Sequence, residues 1–361
     1  MTDVTQNRLY LYGPITGFTS YPLALQGFRR AFKTHGLDPI EIDLSSGAGG
    51  ENSKRMNIGL PPVPREAELV FAMKPNAMLR HLVTKHGMKL VGKHAGDVDQ
   101  VPEDWKKIIA HEELTVVPSD WMQTVLAKDG FDSYVSYPGI TQDFLDAEDP
   151  PKRTENTLKL LHFCSSPVFP ERKGTPQTLK AFEMLVLDGL DADLTLVIPE
   201  NRRAIKRLLG GMAGGVRQRL NVMTWPIGMH GKQIVELYRK HDAVLVPSRA
   251  EGFSCCPIEA RALGVPVVQT LCTGHQSHFK LDEIPAEQGV SVVSHGPFTD
   301  AWGDFGSAPE VTAEEVGLAI LRLAAKYDDF RSAALAHRKH MAKWLWENTT
   351  RELVEKLKAL V

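Results

Sequence analysis

Two glutamates eight residues apart, Glu251 and Glu259, enclose Gly252, Phe253, Ser254, Cys255, Cys256 and Pro257. The apolar run DAVLVPS just before them reads as a buried strand, and Gly252 permits a turn that a Cβ would hinder. Pro257 suits the first position of a helix that stops at Gly264. Amides from Ser254 to Ile258 then lack helical partners and, with the helix dipole, make an anion site suited to phosphate. Beside a helix N-terminus both carboxylates are expected to stay ionised, which fits them to accept hydrogen bonds from hydroxyls. A diphosphate held by amides between two hydroxyl acceptors describes a nucleotide-sugar site. The plainer alternative makes Glu259 a helix cap and Glu251 a solvated loop residue.

Such a site needs strand ends to carry it. Short apolar runs alternate with helical patterns along the chain, which predicts α/β domains with parallel sheets. RLYLYG, LDPIEIDL, AELVFAM, MKLVGKH, LTVVPS and SYVSYPG read as the strands of a first half. TLKLLHFCSS, DLTLVIP, LNVMTWP, DAVLVPS and VPVVQT read as the strands of a second. The polar, proline-bearing segment Asp146–Asn156 reads as the linker. Two long helical patterns are expected at the end, one at TAEEVGLAILRLAAKYDD and one from about Phe330 to Leu360. In two doubly wound domains ligands bind beyond the carboxyl ends of the strands, so the expected site is the cleft between them.

The 361 residues suffice for two domains, and 24% charged residues with a net charge of −2 argue against bulk nucleic-acid binding. No run is apolar enough to span a membrane, and MTDVTQNRLYLYG does not read as a secretory leader. Four cysteines without a CxxC pair fit a reduced, cytoplasmic setting.

Val246–Val268 resembles the signature of family 4 glycosyltransferases, retaining enzymes of the GT-B fold. The matching residues are Pro247-Ser248, Glu251-Gly252-Phe253, Glu259-Ala260 and Gly264-Val265-Pro266-Val267. ERKGTPQTLKAFEML resembles the family's Lys-Gly segment, Pro138-Gly139 its Pro-Asn-Gly turn, and KWLWENTTRELVEKL its terminal crossing helix. The resemblance implies a GT-B architecture of two Rossmann-like domains facing a central cleft. Residues 1–150 would form the acceptor side, 151–335 the donor domain, and 336–361 a helix returning to the first domain. It also implies transfer of a sugar from a nucleoside-diphosphate sugar to an acceptor hydroxyl, with no enzymic nucleophile.

By position, Glu251 would lie near the donor sugar hydroxyls and Glu259 at the ribose. The amides of Ser254, Cys255 and Cys256 would meet the distal phosphate, following Gly252 and Phe253. Lys173, assisted by Arg172, would neutralise the leaving diphosphate. His94 would lie near the transferred sugar, and Gly13 and Gly17 would form the glycine loop after the first strand. Trp225 could stack on a base, although a core role is the commoner one for a strand-end tryptophan.

This chain departs from the pattern at Ser254, where the family has glycine, and in lacking the family's arginine several residues ahead of Lys173, where HFCSSPVFP offers only serines. Asp97-x-Asp99 and Asp191-x-Asp193 have no supporting context, so no metal and no further cofactor is expected. Two other readings are a nucleotide-sugar epimerase of the same fold and a non-catalytic sugar-nucleotide-binding relative. The basic stretches GFRRAFKTHG and NRRAIKRLLGGMAGGVRQRL are expected to be solvated helix faces, rather than contacts to a membrane or nucleic acid. The acceptor, whether lipid, glycan, small molecule or a modified base in DNA, is not legible.

Overall fold

The computed structural model describes residues 9–14, 20–43, 68–165, 170–224, 231–281, 289–300 and 306–361. Gly17 and Trp225 lie outside them. The chain to Gly139 forms one compact unit with Trp344–Val361, while the second extends from Ile140 to Lys343, save Gly306, which belongs to the first.

The first unit is built on six strands, β1 (Leu9–Gly13), β2 (Ile40–Asp43), β3 (Leu69–Met73), β4 (Lys89–Lys93), β5 (Leu114–Val117) and β6 (Tyr134–Val135). They are all parallel, in the order β2-β1-β3-β4-β5-β6. The strand period of two splits the apolar residues between two cores. Leu9 and Leu11 face Phe28, Phe32 and the terminal residues Trp346, Leu353 and Leu357, while Tyr10 and Tyr12 face Leu79 and Val83. The terminal segment docks through missing side chains. A Cβ on Gly27 would fall 2.1 Å from the Trp346 ring, and one on Gly139 would fall 2.5 Å from the Trp346 amide.

The second unit holds β7 (Leu158–Phe163), β8 (Ala192–Ile198), β9 (Leu220–Thr224), β10 (Ala243–Val246), β11 (Val267–Thr270) and β12 (Val290–Val293). Their order is β12-β11-β10-β7-β8-β9, again all parallel. Leu158, Leu160, Leu194, Leu196 and Leu245 pack on one face against Leu179, Phe182, Val316 and Ile320. These come from the helices Thr175–Leu187 and Ala313–Ala325.

Two expectations need correction. The four-residue β12 was not among the expected strands, because VSVV is too short to show a period. The terminal pattern is not one helix. It divides into Tyr327–Arg338, a 3-10 turn Met341–Trp344, Trp346–Thr349 and Arg351–Leu360. Burial of Trp344 and Trp346, at 0% and 4% exposure, requires this break, since residues two apart cannot share one helical face. Among the described residues no helix is long and apolar enough to cross a membrane.

Candidate functional site

Three loops at the carboxyl edge of the second sheet converge, and each follows one of the adjacent strands β7, β10 and β11. After β7, a turn at Glu171–Gly174 leads into the Thr175–Leu187 helix. Gly174 holds φ 66°, and a Cβ there would lie 2.2 Å from the Pro247 carbonyl oxygen. Only glycine lets this turn rest on the end of β10. The Arg249 amide donates to the Arg172 carbonyl at 2.9 Å and locks the two loops together.

That contact brings two cations onto one carboxylate. Lys173 Nζ lies 2.5 Å from Glu251 Oε1, and Arg172 Nη1 lies 3.2 Å from Glu251 Oε2 and 3.1 Å from the Ala250 carbonyl. Glu251 is 4% exposed. Burial alone would raise its pKa, but Lys173, Arg172 and His275 overcome that and bring it down to about 2. Neighbouring cations, rather than the expected helix N-terminus, favour the ionised form here.

From β11 comes a 3-10 run that carries no part of the glutamate signature, Thr273–Phe279. The Glu251 amide donates to Thr273 Oγ1 at 3.0 Å, and the Gly274 amide donates to the Glu251 carbonyl at 2.8 Å. A Cβ on Gly274 would fall 2.4 Å from the Gly252 carbonyl carbon, so the two backbones touch. Ser254 at φ 69° and Thr273 at φ 49° both occupy the left-handed region that favours glycine. The unusual serine therefore sits where a glycine relieves backbone strain.

Phe253 points away from this edge into the interior, with its ring 4.9 Å from that of His278 and its carbonyl accepting from His278 Nε2 at 2.6 Å. The helix Cys256–Ala262 follows, with Pro257 in its first turn and no side-chain cap. Burial, then the charge of Glu259, pushes the Cys256 thiol up to about 12, and Cys255 rises in the same direction. Both stay protonated at neutral pH, and neither is a ready nucleophile.

Glu259 lies in that first turn, half-buried, and accepts a 2.6 Å hydrogen bond from the Tyr238 hydroxyl. Burial raises its pKa, opposed by this bond, so its ionisation is less secure than that of Glu251. Tyr238 is fixed by the Phe163 ring at 5.3 Å and the Phe144 ring at 6.2 Å. The sequence reading missed Tyr238, Thr273 and His275; only the TGH stretch after β11 offered a hint.

His94 and Gly13 belong to the first unit. His94, 1% exposed at the end of β4, bonds Glu112 Oε1 through Nε2 at 2.7 Å, and Thr115 donates to the other Glu112 oxygen at 2.7 Å. Gly92 makes room for this carboxylate, because a Cβ there would fall 1.9 Å from Glu112 Oε1. Gly13 ends β1, where a Cβ would press on Leu25 and Met73 at 3.1 Å. Among the described residues no three His, Cys, Asp or Glu side chains gather as a metal group.

The family model for family 4 glycosyltransferases in conflict systems matches residues 119–353. The chain belongs to this family. It is 25% identical over 273 residues to a D-inositol 3-phosphate glycosyltransferase of Corynebacterium urealyticum, covering 71% of this chain and 58% of that protein. A second such protein, from Xylanimonas cellulosilytica, is 29% identical over 251 residues, 61% of this chain and 55% of its own. This family 4 chain thus spans little more than half the length of those relatives.

Two solved structures match the fold over nearly the whole chain. Sucrose-phosphate synthase of Thermosynechococcus elongatus has a TM-score of 0.70 at 14% identity, covering 98% of this chain and 99% of that one. HepE of Anabaena in complex with UDP has a TM-score of 0.66 at 15% identity, covering 98% and 100%. The architecture is that of GT-B glycosyltransferases, as the resemblance implied.

Proposed function

We propose that this chain transfers a sugar, with retention of configuration, from a nucleoside-diphosphate sugar to an acceptor hydroxyl. The observation that carries the reading is the buried Glu251 carboxylate held between Lys173 and Arg172 at the carboxyl edge of the second sheet. Family membership supports it, as does the HepE fold, whose own structures contain UDP and UDP-glucose.

In this reading Lys173 and Arg172 meet the charge that develops on the leaving diphosphate, and Arg172 takes the part of the arginine missing several residues upstream. The amides of Ser254, Cys255 and Cys256 bind the distal phosphate beyond Gly252, with Phe253 anchoring their loop in the interior. Glu251 accepts hydrogen bonds from the sugar hydroxyls and Glu259 from the ribose. His94 acts beside the transferred sugar, its ring held by Glu112. A preorganised donor aimed at developing charge contributes on the order of 10²–10³ in rate.

A thermal-shift series with UDP, GDP and ADP, on the wild type and on Lys173→Ala and Glu259→Ala, tests the donor site. A ligand at about 100 times its Kd stabilises by about 2.7 kcal/mol. One nucleotide class should raise the wild-type Tm and do so less in both variants. No shift with any nucleotide sinks the proposal.

A further inference from the structure

The basic stretch that follows β8 has an architecture of its own. The helix Arg202–Leu209 carries Arg202, Arg203, Lys206 and Arg207, all exposed. At about 100° per residue these four share an arc of about 140°, and Ala204, Ile205, Leu208 and Leu209 fill the opposite arc. The apolar side is already used: Ala204 is buried, and Ile205, Leu208 and Leu209 pack on the core of the second unit.

Among the described residues none of the four cations has an acidic partner. Acids flanking the segment are engaged elsewhere. Asp191 and Asp193 pair with Arg219, and Glu183 pairs with Lys180 and accepts from the Ala213 amide. Exposed Glu200 lies just before the helix in sequence. Next comes an exposed turn at Gly210 and Gly211, then a four-residue helix, Gly214–Arg217, whose Gly214, Gly215 and Arg217 are exposed; a Cβ on Gly211, Gly214 or Gly215 would meet nothing.

We infer that the Arg202–Arg217 face is a docking surface for the phosphate backbone of a nucleic acid. Four like charges held within one short helix face repel one another, and a polyanion relieves that repulsion while releasing its own counterions. An interfacial helix on a membrane must insert an apolar face, and this helix has committed its apolar face to the protein's own interior. The exposed turn at Gly210 and Gly211 adds backbone that a phosphate can approach closely. The helix opens just after Ile198, the last residue of β8, at the carboxyl edge that also bears Lys173 beside β7. This inference does not depend on the glycosyl-transfer reading.

The test is fluorescence anisotropy of the full chain with a labelled 20-nucleotide single strand and a 20-base-pair duplex, from 50 to 300 mM KCl. Four phosphate contacts on duplex predict a slope of roughly −4 in log K against log salt. The variant Arg202→Gln, Arg203→Gln, Lys206→Gln, Arg207→Gln should fold with an unchanged circular dichroism spectrum, lose at least about tenfold in affinity at 50 mM KCl and flatten the slope. A control removing the same charge elsewhere, Lys85→Gln, Lys152→Gln, Lys326→Gln and Lys339→Gln, should bind as the wild type does. Absence of binding to either oligonucleotide, or an equal loss in the control, overturns the inference. Binding to anionic phosphatidylserine vesicles without binding to either oligonucleotide also overturns it, in favour of a membrane.

Discussion

Lys173 Nζ and Glu251 Oε1 come within 2.5 Å of each other although 78 residues separate them. The lysine is 13% exposed at its side chain and the glutamate 5%, so this is a buried pair, with Arg172 as a third member. Removing one partner of such a pair leaves an uncompensated charge, which typically costs about 3–5 kcal/mol. Lys173→Ala should therefore lower stability in urea by an amount of that order, moderated by Arg172. Glu251→Gln in the same chain should restore much of it. A double variant no more stable than the Lys173→Ala chain contradicts the coupling.

Tyr238→Phe keeps the ring between Phe163 and Phe144 and deletes only the hydroxyl that donates to Glu259. An ordinary hydrogen bond contributes about 0.5–1.5 kcal/mol. If Glu259 holds a ribose, losing its positioning partner should lower nucleotide affinity several-fold, up to about tenfold, in Tyr238→Phe. The loss should be much smaller against a 2′,3′-dideoxy nucleotide, as calorimetry can measure. Equal losses for both nucleotides would show that Tyr238 acts on packing alone.

Backbone conformation makes opposite predictions at two neighbouring loops. Ser254→Gly relieves a left-handed serine and should stabilise the chain by about 1 kcal/mol. Gly174→Ala places a Cβ 2.2 Å from the Pro247 oxygen at φ 66° and should destabilise it by more than about 1 kcal/mol. Denaturant midpoints of the two variants moving in the same direction would be evidence against this account.

Acid should weaken the fold in two stages. His162, bonded to the Leu245 carbonyl and Thr175 Oγ1, and His275 are both buried, and burial brings each down to about 4. Between the ordinary histidine value of about 6.5 and about 4, the unfolded chain takes up protons that the folded chain refuses, so stability falls with pH across that window. Glu251 has a depressed value near 2, so its contribution is present above the ordinary carboxylate value of about 4.3 and is lost as pH falls toward 2. Melting curves from pH 7.5 to 4.5 should flatten in His162→Gln, while Glu251→Gln should leave the slope of that interval largely unchanged. A parallel slope in His162→Gln and the wild type removes the histidine explanation.

Much of this was legible in the order of residues because it is local. Alternating apolar residues mark strands whether or not their neighbours are known, and Leu9 and Leu11 against Tyr10 and Tyr12 already encode a sheet covered on both faces. Pro257 and Gly264 bracket their helix by backbone chemistry alone. Residue types at the loop, two acids among small residues, likewise pointed to anion and hydroxyl recognition. β12 and the broken C-terminal helices escaped because short runs and tertiary burial leave no period in the chain.

The partners of each acid were decided by the tertiary structure. Parallel strands put the ends of β7, β10 and β11 side by side, and only that adjacency sets Lys173 and Arg172 on Glu251 and Thr273 beneath its amide. The same packing sets Tyr238 against Glu259, burying Glu251 and half-burying Glu259 to different effect. One is held ionised by neighbouring cations, while the other is pushed toward its neutral form by desolvation. A sequence names the ionisable groups; their electrostatic character depends on distance and burial, and those exist only once the chain has folded.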